Sequence, residues 1–134
     1  MVAADAPFAT AMQRTAVVAD PDDGRLESSA AALRAAGYLV QTARDAGTLF
    51  SLLDGGGPSV LVVDSSLSPR ESRVPVLVLV DLNDGDVIEA IEGSGVRDCI
   101  AKPPEPKELV HRATALINLV ERRTRSRQEA EALR

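Results

Sequence analysis

Two aliphatic runs, Leu61–Val63 in the stretch SVLVVD and Val74–Val80 in VPVLVLV, constrain this chain more than any other feature. A strand with one face in water alternates apolar and polar side chains. A strand apolar at successive positions needs cover on both faces. Runs this short, bounded by Gly, Pro, Ser and Asp, are strands rather than buried helices. They belong in a parallel sheet sandwiched between helices.

The rest of the sequence supplies that sandwich. Thr15–Ala19 predicts a first strand, closed by the polar turn DPDDG. Leu26, Ala30 and Leu33 keep helical spacing as far as Gly37, a residue suited to a helix end. Tyr38–Thr42 predicts a second strand, and Asp45–Leu53 a short helix stopped by Gly55-Gly56-Gly57-Pro58. Ser59–Val63 and Val74–Val80 are strands three and four. Asp84–Glu92 predicts a helix with Val87, Ile88 and Ile91 on its apolar side, and Cys99–Ala101 a fifth strand. Pro106 opens a long C-terminal helix with Leu109, Val110, Ala113, Leu116, Ile117 and Val120 on one stripe. Alternating strands and helices of this kind define an α/β chain, a flavodoxin-like doubly wound five-stranded parallel sheet. Residues 1–14, Ala-rich and unpatterned, are expected to be a flexible extension. Residues 15–120 form the domain, and residues 121–134 continue the last helix as a polar linker.

Composition narrows the function. Aromatic residues make up 2% of the 134 residues, so the core is built from Val, Leu, Ile and Ala. A net charge of -5 argues against nucleic acid as a partner, because phosphate contacts need a basic face. The basic run ERRTRSR, Glu121–Arg127, is expected to be a solvated helix face. One cysteine, Cys99, allows neither an internal disulfide nor a zinc cluster, and its apolar surroundings suggest a buried filler. His111 lies in a surface-like pattern on the last helix. The first ten residues lack the features of a signal peptide, and no segment approaches the ~18 apolar residues of a membrane span. The cytoplasm is the expected compartment, and the membrane is not an expected partner.

In parallel sheets of this class, polar function collects at the carboxyl ends of the strands. Asp20, Asp22 and Asp23 after strand one, Asp64 after strand three and Lys102 after strand five all fall at that edge. The glycine run 55–57 precedes a strand and is a turn rather than a phosphate loop. With VVADPDD as an acidic first turn, LVVD, VPVLVLV and RDCIAKP followed by PEPKEL, the chain resembles the receiver domain of bacterial response regulators, the CheY-like family, over roughly residues 15–120. The resemblance implies that Asp64 is the phosphoacceptor and Lys102 the phosphate-contacting residue, with a cis peptide to Pro103. It implies a Mg²⁺ site built on Asp20 and Asp64, with Asp22 as a further acid. The chemistry is consistent. An aspartyl nucleophile attacks a phosphohistidine, a hard cation needs clustered oxygens, and a lysine neutralises phosphoryl charge.

Several positions depart from the family pattern. The usual adjacent acidic pair is replaced by Asp20-Pro21. Val80 stands where a hydroxyl normally ends strand four, followed by Asp81, which would repel a phosphoryl group if it faced inward. Cys99 replaces the aromatic switch of strand five. The link from strand three to strand four is short for a parallel crossover, so the third helix of the family pattern is missing or reduced to a turn. That loss is expected either to bare an apolar face for a partner, a second copy or a displaced segment, or to be closed by neighbouring helices.

The first functional expectation is therefore an atypical receiver, a pseudo-receiver. It acts in two-component-type signal transduction through contacts with a histidine kinase or another signalling protein, and it is not an enzyme beyond autocatalytic phosphate acceptance. A homodimer would form through the bared sheet face or the last helix. The alternative is a working phosphoacceptor using Mg²⁺. A second alternative is a small-ligand sensor in which Arg70, Arg73 and Arg97 bind a cyclic dinucleotide.

Overall fold

The computed structural model describes residues 13–82 and 84–133; most of the expected N-terminal extension, residues 1–12, lies outside them. Five strands, β1 (Thr15–Ala19), β2 (Leu39–Ala43), β3 (Val60–Asp64), β4 (Val76–Val80) and β5 (Arg97–Ala101), form one sheet in the order β2-β1-β3-β4-β5. Every pairing is parallel, as the apolar runs predict. The helices are α1 (Asp23–Ala35), α2 (Ala46–Leu53), α3 (Asp84–Ile91) and α4 (Pro106–Ala132).

Period-two alternation along the central strands sends their side chains into two separate cores. Ala16 and Val18, Val60 and Val62, and Leu77 and Leu79 meet Leu26 and Leu33 of α1 and Leu109, Ala113 and Ile117 of α4. Val17, Leu61, Val63, Val76, Val78 and Val80 meet Leu49 of α2 and Ala90 of α3. Both faces of β3 and β4 are buried throughout. That is why neither strand can carry a polar residue before its last position.

The edge strands behave differently, and there the sequence boundaries shift. β5 begins at Arg97, two residues before the apolar run, because an edge strand tolerates polar side chains. Cys99 on this strand is half-buried rather than fully buried. β2 begins at Leu39, since Tyr38 turns inward and its hydroxyl shares a 2.6 Å hydrogen bond with Thr114 Oγ1 of α4. α1 starts at Asp23, earlier than its apolar stripe, because the Asp22 carboxylate caps it by accepting the Arg25 N–H at 2.9 Å. Asp45 caps α2, and Glu105 caps α4 ahead of Pro106. α4 continues unbroken to Ala132, and its residues from Glu121 onward are exposed.

The link between β3 and β4 holds only a single 3₁₀ turn, Ser65–Leu67, so the expected loss of a helix is seen. The strands of the expected bare face are not bare, although Phe50 of α2 and Ile88 and Ile91 of α3, the latter two expected on the apolar side of their helix, are exposed. The connector itself covers the strands, with Leu67 and Val74 packed on the core beside Leu52, Leu53 and Val87. Residues 68–74 are tied to the turn after α3, where the Ser94 N–H donates to Arg70 O at 2.9 Å. The Arg97 guanidinium donates to Ser94 O at 3.1 Å, to Ser68 Oγ at 3.3 Å and to Pro69 O. Gly93 and Gly95 have φ of 123° and 90°, and a Cβ on Gly95 would stand 2.6 Å from Ser72 O. Close backbone contact thus replaces a helix.

Candidate functional site

The carboxyl edge of the sheet gathers Asp20, Asp64 and Lys102. The register pairs Ala19 with Val63, which sets Asp20 beside Asp64, and pairs Val80 with Ala101, which brings the residue after β5 alongside. The Lys102 N–H donates to Val80 O at 2.9 Å and anchors the start of the next loop; the Lys102–Pro103 peptide is cis, as the resemblance implies. Asp20 and Asp64 are both buried, at 0% and 3% exposure. Two carboxylates removed from water side by side require positive charge nearby.

That charge comes from two side chains. Lys102 Nζ lies 2.8 Å from Asp64 Oδ1. Arg25, in the first turn of α1, reaches Asp20 through Nε–Oδ2 and Nη2–Oδ1 contacts of 2.9 Å each, and its Nη2 is 3.4 Å from Asp64 Oδ1. The second oxygen of Asp64 accepts from Ser66 Oγ at 2.6 Å and from the Ser66 N–H at 3.0 Å. Asp20 Oδ1 also accepts the Asp22 N–H at 2.8 Å. Both carboxylates are ligated within the chain.

The titration of these groups follows. Burial pushes the Asp64 carboxyl upward, but hydrogen bonds from Lys102 and Ser66 outweigh it and hold the group below its ordinary value. Burial opposes the Lys102 charge, and the Asp64 hydrogen bond overrides it, so the ammonium holds its proton above the usual range. The Asp20 hydrogen bond does the same for Arg25.

Other candidates fall elsewhere. Asp22 serves as the α1 cap, with Arg25 Nη1 3.8 Å from its Oδ2, and does not join the metal-site acids. Asp81 does not turn into the cleft; it is largely exposed, 3.6 Å from Lys102 Nζ, and so pairs with the lysine from outside. Val80 is buried in the core and offers no hydroxyl. Arg97 is committed to the connector, which leaves Arg70 and Arg73 as the exposed members of the set considered for nucleotide binding. His111 sits exposed on α4.

A Mg²⁺ site does not fit these residues. Ala19 and Pro21 flank Asp20 and supply no carboxylate, and Arg25 lies against both Asp20 and Asp64 where an oxygen-seeking ion would have to enter. Among the described residues, no group of three or more His, Cys, Asp or Glu side chains is arranged to hold a metal. Arg25 is the site residue that sequence reasoning missed. Its signal was a cation in the first turn of a helix, where the dipole favours acids, five positions after a strand-end aspartate.

No family model and no curated protein matches the sequence. Solved structures do match. A protein named as a response regulator from Chloroflexus aurantiacus J-10-fl is 28% identical with a TM-score of 0.68, covering 79% of this chain and 98% of its own. A CheY-like receiver domain protein from Methanospirillum hungatei JF-1 is 16% identical with a TM-score of 0.69, covering 83% of this chain and 98% of its own. The DrrB receiver domain, in a BeF3-activated form, is 19% identical with a TM-score of 0.63, covering 79% of this chain and 98% of its own. The chain has the response-regulator receiver fold, in its CheY-like form.

Proposed function

We propose that the chain is a pseudo-receiver, a receiver-type module of two-component signalling that works through protein contacts and does not turn over a substrate. The observation that carries this reading is that, beyond Lys102, Arg25 also reaches Asp64 Oδ1 while Ser66 occupies Oδ2 through its hydroxyl and its N–H. An acceptor in that state is a poor nucleophile, because its lone pairs are engaged and its charge is neutralised. Val80 and Cys99, at the positions where the family carries its hydroxyl and aromatic switch, support the same reading. The expected partner is a histidine kinase or another protein of the pathway. Among the described residues, no helix is long and apolar enough to cross a membrane.

A second reading keeps Asp64 as a working phosphoacceptor. The 2.8 Å Asp64–Lys102 pair supports it, because it would place a cation beside the oxygens of a phosphoryl group on Asp64. Titration with beryllofluoride and Mg²⁺, followed by amide NMR, separates the two. A pseudo-receiver leaves the Asp64, Ser66 and Lys102 signals in place, whereas saturable shifts at those residues would establish the phosphoacceptor.

A further inference from the structure

Arg25 has no counterpart among the site residues that the resemblance supplies, yet it contacts both buried acids of the cleft. Its guanidinium bridges Asp20 and Asp64 through one shared nitrogen, Nη2, and binds Asp20 at both oxygens. The side chain is part-buried, while the Asp20 carboxylate it holds is fully buried. It leaves from a rigid base, since α1 is capped by Asp22 and packed through Leu26, Ala30 and Leu33. The two buried acids, Asp20 and Asp64, are thus matched by two cations, Arg25 and Lys102, while Asp22 and Asp81 approach the same cations from the exposed rim.

We propose that Arg25 is a tethered cation that takes the position a divalent metal ion would need, making the state of this cleft independent of Mg²⁺. Two observations agree. The residues flanking Asp20 supply no further carboxylate to a metal, and a guanidinium fills the space between the acids that remain. Guanidinium is suited to the task, because its planar fork satisfies two carboxylates at once and it stays charged at any physiological pH. The inference rests on reading the cleft as a closed receiver site, but it concerns the metal and not the phosphoryl group.

The test is Mn²⁺ titration of the full chain and of Arg25→Gln, read as paramagnetic broadening of amide signals. In the unaltered chain the Asp20 and Asp64 amides should broaden no more than those of exposed acids. Arg25→Gln leaves two buried carboxylates facing only Lys102, and it should gain selective broadening there with at least about tenfold tighter Mn²⁺ binding. Added Mg²⁺ should raise the melting temperature of the variant and leave that of the parent unchanged. Selective Mn²⁺ binding at Asp20 and Asp64 in the unaltered chain, or a folded variant that gains none, overturns the proposal. Should Arg25→Gln not fold with or without Mg²⁺, Arg25→Met takes its place: it keeps the aliphatic stem and carries no charge, so selective broadening must appear, and its absence counts against the proposal. Beryllofluoride response is scored separately. Metal binding without it sinks this inference and spares the pseudo-receiver reading; saturable beryllofluoride shifts sink that reading itself.

Discussion

The acidic cleft and the β3–β4 connector lie on either side of Asp64, and each departs from the family pattern in the opposite way. The cleft keeps Asp20, Asp64 and Lys102 but closes them into internal ion pairs with Arg25. The connector drops a whole helix, yet β3 and β4 remain fully buried. One side chain thus changes the charge around Asp64, while a lost helix leaves the core intact. The reason is that a carboxylate's behaviour depends on its nearest charges, whereas a core needs only apolar cover and satisfied backbone groups, which a loop can supply.

The largest effect is expected at the connector. Gly95→Ala forces a side chain into the left-handed region and against Ser72 O, and should cost about 2–3 kcal/mol of stability by urea denaturation. A loss under about 0.5 kcal/mol would mean that the connector shifts freely and is not what closes the face.

A smaller effect sharpens the cleft side. The folded Asp64 pKa lies below its ordinary 3.8, so its contribution is complete above that pH and disappears as pH falls through the lower folded value. Lys102 lies above its ordinary 10.5, so its contribution is complete below that pH and is lost as pH rises through the folded value. Stability should therefore be flat between these limits and decline outside them. Asp64→Asn should flatten the acid limb in part, the remainder reflecting groups such as Asp45, whose capping of Thr48 also lowers its pKa. An unchanged acid limb in that variant would show that Asp64 is not held by its partners.

The smallest effect is expected at the far end of α4. Its buried residues end at Ile117, and residues 121–133 are exposed. Removing residues 124–134 should change the unfolding free energy by less than about 0.5 kcal/mol. A larger loss would reveal that this segment packs on something, such as a second copy of the chain.

Much of this molecule is legible in the sequence. Both aliphatic runs mark central strands, although β4 begins at Val76 and leaves Val74 and Pro75 in the connector; the glycines at 37 and 55–57 mark chain reversals, and Pro106 opens the last helix. Asp20, Asp64 and Lys102 converge because strand ends in a parallel sheet share one edge, which topology alone guarantees. β5 was found only in part, since Arg97 and Asp98 hide an edge strand from any apolar pattern.

The layered sheet and the edge where its polar residues meet are already written in the order of the residues, because both follow from local periodicity and chain direction. Folding in three dimensions is what brings Arg25 across a turn to two carboxylates, fastens the connector to the turn after α3 through Arg97, and lays this connector over the face left by a missing helix. These outcomes depend on distances of a few ångströms between segments remote in sequence. Periodicity carries no information about such distances, and packing settles them all at once.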